Sequence, residues 1–386
     1  MNRLIAGLCV CILLTSVGPI HATSTIDNIG ITRHTNTTNS LGLEMVAKSG
    51  FSNGKFDLVG AINIQFSSVK VQMLYFTVEE KLQSADTPAA KREILTNAIN
   101  EIEEQINTLL REEQQARTAF INGSIDITEY SIILGKIDGK ADQIHQILQQ
   151  LDSLAENVPN TGEVKAKIRF LESKLVSLRG PIRSTLAKIV VGSHKNERIS
   201  IAVSPKGVVL TTIENGQFIH EAYRSDHFDP GPDNFTLSDA ITRVKELYPW
   251  GWENAAGPSI IGLSGSVYLI RMSHGHGSVE TYLDGTTGHI YREFQFKSLS
   301  GIPIQNTITK SKKGLKIYVN TTYPGGPLQI RLTNGKGKLL TGVVRINNTV
   351  IGNTVNGRLW TLYPYSQFTL HVTYENTTIS ISLPPK

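Results

Sequence analysis

The sequence predicts a multidomain α+β chain: an N-terminal antiparallel helical bundle or hairpin, a central α+β unit and a C-terminal β-sandwich. Three observations carry this reading. Apolar residues recur at alternating steps of three and four through residues 95–155, as on long amphipathic helices. After residue 184 the period falls to two, and Gly and Pro punctuation rises. A chain of 386 residues also exceeds the usual size of one domain, and its 40% apolar content is enough to build real cores. The expected units are 1–22, 23–55, 56–186, 187–300 and 301–386.

Residues 1–22 read as a secretory signal peptide. Met1 to Arg3 is positive, Leu4 to Val17 is almost unbroken apolar, and Gly18-Pro19 leads to a small residue at Ala22. An uncleaved anchor is the alternative, although the run is short for a span of about 20 residues. Cys9 and Cys11 both lie in this segment, so disulfides, cysteine–metal sites and cysteine nucleophiles are not expected in a cleaved chain. Residues 23–55 are rich in Thr, Asn, Ser and Gly and read as a flexible polar leader. Six sequons, at Asn36, Asn122, Asn234, Asn320, Asn347 and Asn376, are candidate glycan sites in an exported protein.

The spacing of Leu58, Ile62, Phe66, Val69, Met73 and Phe76 predicts a first helix, although the alternation Ile62-Ile64-Phe66 suits a strand equally well. Thr87-Pro88 opens the next one, with an N-cap and a proline at its first position. Its heptad runs through Leu95, Ile99, Ile102, Ile106, Leu109, Ala116 and Phe120, and Glu113 is its polar interruption. The pattern restarts as Tyr130, Leu134, Ile137, Ala141, Ile144, Leu148, Leu151 and Ala155, so the two helices form an antiparallel hairpin. A further helix carries Val164, Ile168, Leu171, Leu175 and Leu178 up to Gly180-Pro181. The stripes are expected to bury one another within the chain; an oligomerising or partner-binding arm is the alternative.

In the central unit, strands are expected at 199–203, 208–213, 218–223, 266–272, 279–283 and 289–296. Thr236-Leu-Ser-Asp239 is a capping box that opens a helix through Ala240, Val244 and Leu247. Strands at 315–320, 328–332, 339–346, 358–362, 368–374 and 379–383 then predict the sandwich, with Trp360 in its core.

Three stretches carry resemblances. Tyr248-Pro249 and the turn Asp284-Gly-Thr-Thr-Gly288 resemble the PepSY-type module of secreted proteins, which implies a link to inhibiting or chaperoning peptidases. Gly342 to Trp360, with the turn Gly352-Asn-Thr-Val-Asn-Gly357, resembles the transthyretin-like or carboxypeptidase-regulatory type of sandwich, so the expected C-terminal fold is a transthyretin/Ig-like β-sandwich. Leu178-Arg-Gly-Pro-Ile-Arg183, Gly207-Val-Val-Leu-Thr-Thr-Ile213, Glu221-Ala-Tyr-Arg224, Tyr323-Pro-Gly-Gly-Pro-Leu328 and Gly357-Arg-Leu-Trp-Thr361 together resemble a family of secreted archaeal proteins of unknown function, best known from halophiles. That resemblance implies an archaeal envelope protein. Halophile members are strongly acidic, whereas this chain has a pI near 9.0, so its host is not expected to be a salt-in halophile.

The net charge of +5 hides an asymmetry. Residues 84–158 hold 13 acidic and 6 basic side chains, and residues 301–386 hold 10 basic and 1 acidic. Lys310, Lys312, Lys313, Lys316, Lys336 and Lys338 form the candidate basic patch, suited to anionic polymer, glycan or lipid headgroups. Docking onto the acidic helices is a second reading, and ordinary solvated charge a third. Nucleic acid is not expected for an exported chain. His274-Gly-His276 is a weak candidate ligand pair without a third ligand at diagnostic spacing, so no metal and no cofactor are expected. Asp226, Asp229 and Asp233 miss the spacing of a calcium loop. No nucleophile elbow, phosphate loop or dinucleotide fingerprint is present.

The resulting expectation is a non-catalytic exported protein, secreted or held at the archaeal cell surface. Its partners would be an envelope polymer, a glycan or another surface protein, with peripheral membrane contact and oligomerisation through the helices left open. A PepSY-like regulator or chaperone of extracellular peptidases is the alternative, and a hydrolase with an unrecognised site the second alternative.

Overall fold

The structure, a computed structural model, describes residues 30–229, 231, 234–264 and 266–384. The expected export signal, with Cys9 and Cys11, lies outside the described residues.

Five helices form the bundle: α1 (Leu58–Ser84), α2 (Pro88–Asn122), α3 (Ile127–Glu156), α4 (Gly162–Leu175) and α5 (Pro181–Val190). Their ends are set by the caps the sequence carries. Thr87 accepts from the Ala90 amide at 3.2 Å, and Asp126 and Glu129 close a reciprocal capping box. All the heptad residues named above for α2, α3 and the helix that follows are buried, so these stripes do cover one another inside the chain.

α1 departs from this rule. It is helical as the spacing predicts, but the predicting residues face away from the bundle. Ile64, Val71, Val78 and Leu82 pack inward, whereas Ile62, Phe66, Val69, Met73 and Phe76 are exposed. The helix is apolar on both sides, so its periodicity could not say which stripe would be covered.

The polar leader is also reassigned. From Gly30 its described part is built into the fold rather than flexible. The short pair β1 (Ile31–Thr32) and β2 (Ser40–Leu41) is followed by β3 (Lys48–Ser52), which pairs antiparallel with β4 (Ile199–Ser204). Then come β5 (Gly207–Glu214), β6 (Gln217–Arg224), helices α6 (Leu237–Leu247) and α7 (Pro249–Asn254), β7 (Ser259–Ser264), β8 (Val267–His274), β9 (Gly277–Asp284) and β10 (His289–Ser298). The result is one antiparallel sheet of eight strands, in the order β3-β4-β5-β6-β10-β9-β8-β7. The bundle covers one face; α6, α7 and the segment 38–41 cover the other.

Strand alternation explains how that segment is held. His220, Glu293, Gln295 and Lys297 point to its side of the sheet and grip its backbone. The Leu41 amide donates to Glu293 Oε1 (2.9 Å), and Leu41 O lies 2.9 Å from His220 Nε2. Gln295 donates to Asn39 O (2.6 Å) and Lys297 to Thr38 O (3.0 Å). Burial pushes the Glu293 carboxyl up and the Lys297 ammonium down from their ordinary values.

On the opposite face the bundle meets the sheet through charge. Glu221 on β6 is fully buried and accepts from Arg292 Nη2 at 2.6 Å. Arg183 Nε lies 3.1 Å from the same carboxylate. The Ile182 and Arg183 amides, in the first turn of α5, donate to it at 2.9 and 3.3 Å, which sets the positive end of a helix on the anion. Burial alone would raise the Glu221 carboxyl, but Arg292 and Arg183 outweigh it and hold it below its ordinary value. Gly180 precedes the helix because any Cβ there would run into this carboxylate. Glu113, the heptad's polar interruption, joins the same layer through Arg117 (3.4 Å) and Arg183 (4.0 Å). Asp138 on α3 accepts from the Gly180 amide (3.0 Å), and burial pushes its carboxyl up to about 7.

The C-terminal strands form two four-stranded sheets with one core between them. They are β11 (Asn306–Lys312), β12 (Leu315–Thr321), β13 (Pro327–Asn334), β14 (Val343–Ile346), β15 (Thr349–Asn353), β16 (Arg358–Leu362), β17 (Phe368–Tyr374) and β18 (Thr377–Leu383). The sequence reading had not expected β7, β11 or β15. The sandwich docks through its 323–326 turn: Thr211 of the large sheet donates to Gly325 O (2.7 Å), and the Tyr323 ring lies tilted against His34, between β1 and β2, at 4.5 Å. Gly325 has φ +78° and a Tyr365 ring against its Cβ position, so a side chain is excluded twice over.

Two predictions follow from the charged layer. Glu221→Gln strips two buried guanidiniums of their counter-charge and is expected to destabilise by about 3–5 kcal/mol, read as a lower urea midpoint at pH 7. Asp138 holds its proton in the folded state to about pH 7, whereas its unfolded carboxyl releases it near 3.8. Its favourable contribution is therefore complete below the lower value and declines as pH rises through the window. Asp138→Asn should gain stability relative to wild type over that range, by roughly 2–4 kcal/mol at pH 8; parallel stability–pH curves would refute the assignment.

Candidate functional site

The basic residues singled out in the sequence do not form one patch. Lys310 and Lys312 on the edge strand β11 reach across the sandwich and donate to Ser380 O (2.7 Å) and Thr378 O (3.0 Å) of β18. Lys313 sits in the tight turn after β11 with φ +48°. Lys336 and Lys338 lie in a turn whose amides donate to Asn334 Oδ1 at 3.0 and 2.9 Å. Lys316 alone falls on the open face of the sheet β11-β12-β13-β16.

That face is built by simple alternation. Leu315, Ile317 and Val319 of β12 point into the core, so Lys316, Tyr318 and Asn320 point out. The register then lays two rows across the sheet. Thr307, Asn320, Gln329 and Trp360 form one; Thr309, Tyr318, Arg331 and Arg358 form the other. Thr307 donates to Asn320 Oδ1 (2.9 Å), and the Asn320 amide donates to Gln329 Oε1 (2.8 Å). Lys316 Nζ stands 4.8 Å from the centre of the Tyr318 ring and Arg331 Cζ 4.1 Å. Lys316, then Arg331, hold the Tyr318 phenol below its ordinary value. Trp360, expected in the core, is half-buried on this outward face, because its register partner is Gln329 rather than a core residue.

Arg331 and Arg358 are direct cross-strand partners. Like charges placed opposite one another destabilise a sheet. Among the described residues neither forms an ion pair, and Glu375 is the single acid in residues 301–386. The sequence reading missed Tyr318, Arg331 and Arg358. The i, i+2 step from Lys316 to Tyr318 signalled one face, but only the register brings the arginines beside it.

The remaining candidates are placed as follows. His274 is not available as a ligand: its Nε2 lies 2.7 Å from Thr38 Oγ1, and its Nδ1 accepts from the His276 amide at 3.2 Å. His276 stacks on Trp250 at 4.9 Å, so the pair belongs to an aromatic cluster. Asp226 is bound by Arg224 at 2.8 and 2.9 Å, and the Asp229 amide is fixed by Asp284 at 2.8 Å. Asp233 lies outside the described residues. Two trios, Glu44–Asp226–His227 and His194–Glu197–Glu214, bring metal-capable atoms within 4.8 Å of one another. The first is tied up by Arg224 and by Ile290 O, 2.7 Å from His227 Nδ1. The second is a half-exposed surface group. Of the sequons, Asn36, Asn122, Asn234, Asn347 and Asn376 are exposed, and Asn320 is half-buried in the row described above. No helix among the described residues is long and apolar enough to cross a membrane.

Residues 2–195 match a domain of unknown function, DUF7096, and residues 199–303 match a family of unknown function, DUF7094. Residues 306–381 match an archaeal fibronectin-III type-like domain, which agrees with the observed sandwich and supports an archaeal origin. A comparison with curated proteins returns no match.

Proposed function

We propose, for a chain that belongs to the DUF7096 family and ends in an archaeal fibronectin-III-like domain, that it is a non-catalytic contact protein of the archaeal cell envelope. The N-terminal segment exports it to the cell surface. There the open face of the sandwich holds an anionic glycan or related envelope polymer. The cross-strand pairing of Arg331 and Arg358 supports this reading above all else: two cations without an acidic partner among the described residues, carried on neighbouring strands of the open face, suit a ligand that brings carboxylate or sulfate to it. Tyr318 holds Lys316 and Arg331 against its ring, which gathers the cations on this face, and Asn320 and Gln329 offer polar edges beside it.

Peptidase regulation has less support. The residues that carry the PepSY likeness are occupied within the fold. Tyr248 donates to Glu293, and Asp284 accepts from the amides of Asp229 and Thr286 at 2.8 and 3.1 Å.

Heparin and alginate serve as anionic probes, with dextran as the neutral control. Wild type should bind the anionic polymers with an affinity that falls as salt rises. Arg331→Ala/Arg358→Ala should bind about tenfold or more weakly, since a hydrogen bond to a charged group contributes about 1.5–3 kcal/mol. Equal binding by wild type and variant, or equal binding of dextran, would remove the proposal. Arg358→Thr alone should raise thermal stability slightly, by about 0.5 kcal/mol, because it relieves the cross-strand repulsion.

A further inference from the structure

Beyond its first residue, the exposed Leu58, the outward side of α1 carries six apolar residues, Val59, Ile62, Phe66, Val69, Met73 and Phe76, each between 53% and 71% exposed. They follow steps of three and four without a break, which makes six consecutive a and d positions of a heptad. A helix of a monomer shows one such stripe, turned to its own core. α1 shows two, and its inward stripe is already satisfied by Ile64, Val71 and Val78. A repeat of 3.5 residues is the pattern that fits another helix, because it keeps a narrow seam in register along a supercoil.

We propose that this seam pairs with the same seam of a second copy of the chain, in antiparallel orientation. The seam is its own complement. With the two-fold axis between Ser67 and Ser68, Val59 faces Phe76 of the second copy, Ile62 faces Met73, and Phe66 faces Val69. Each layer then joins an aliphatic residue to a larger aromatic or thioether side chain. Flanking positions set Gln65 opposite Gln72 and Asn63 opposite Lys70, so no like charges meet. At the ends, exposed Lys55, just before the helix, comes beside Glu79 and Glu80 of the other copy. A parallel pair would instead bring lysine to lysine and the glutamates to their own copies. Asp57 does not alter this balance, because Lys136 lies 3.4 Å from it within the chain.

The size is adequate. Six side chains of this kind, more than half exposed, present on the order of 600 Å² per copy, close to the roughly 800 Å² per partner of a standard interface once the flanking residues are added. An open apolar patch of that area is at the upper end for a monomer. An isologous pair about a two-fold axis is also the commonest closed assembly. The pairing is independent of the polymer face on the sandwich, and either can fail without the other.

The test is sedimentation velocity of the purified full chain at micromolar concentration. A dimer is expected. Phe66→Glu/Val69→Glu should sediment as a monomer with an unchanged far-UV spectrum and thermal midpoint, since both positions are exposed. Orientation is read from Ser84→Cys, spin-labelled in a Cys9→Ser/Cys11→Ser background. The two labels should lie about 50 Å apart in the antiparallel pair, from 1.5 Å per residue, and under about 20 Å in a parallel one. A wild-type monomer, a dimer that survives the double substitution, or the short label distance would overturn the proposal. So would monomeric protein that binds phosphatidylglycerol vesicles through the same residues, which would assign the seam to a membrane surface.

Discussion

The Glu221 carboxylate is the constraint around which the rest of the molecule is arranged. It projects from the middle of a large sheet into a fully buried layer, where an ion needs full compensation. Two guanidiniums and the first turn of α5 supply it. Each comes from a different part of the chain: Arg292 from β10, Arg183 and its helix from the bundle. The bundle can therefore sit on the sheet in one way. An apolar contact of the same area would tolerate sliding; a buried charge with four partners at fixed distances does not. The bare approach at Gly180 and the tie from Asp138 belong to the same requirement.

The two surfaces proposed to act are opposite in kind. The sandwich presents cations and a ring on a sheet whose strands β11, β12 and β13 pair at seven consecutive positions each. The bundle presents a plain hydrocarbon ridge. The first gains from attraction at a distance and weakens with salt; the second gains from water release and does not. On the proposed reading the two are complementary, one for an anionic polymer and one for a second copy of the chain.

Much of this was legible in the sequence, and the failures have physical reasons. The heptads of α2 and α3 named their buried residues correctly, because a polar residue on every other face left one choice. α1 carries only Lys70 among its first twenty residues, so the same method found the helix and chose the wrong side. The segment from Gly30 to Ser52 read as leader because its residues are small and polar. It is held by its backbone, which composition does not report. The strand β11 was missed because an edge strand rich in Thr and Lys carries no apolar alternation. The six lysines named as a basic patch are dispersed by the fold, and only Lys316 lies on the open face. The lysines were picked by abundance, whereas the opposed arginines are neighbours only through pairing.

The clasp on Leu41 has a consequence for how the chain is made. Its amide partner, Glu293, lies 252 positions further along. At a synthesis rate of roughly 5–20 residues per second, the interval between the two is about 10–50 s. Throughout that time β3 has no finished sheet to join. The boundary between the two matched families, at 195 and 199, falls between strands that must pair with each other. The two matched segments therefore share one sheet, and β3 takes its final place only after β4 has emerged.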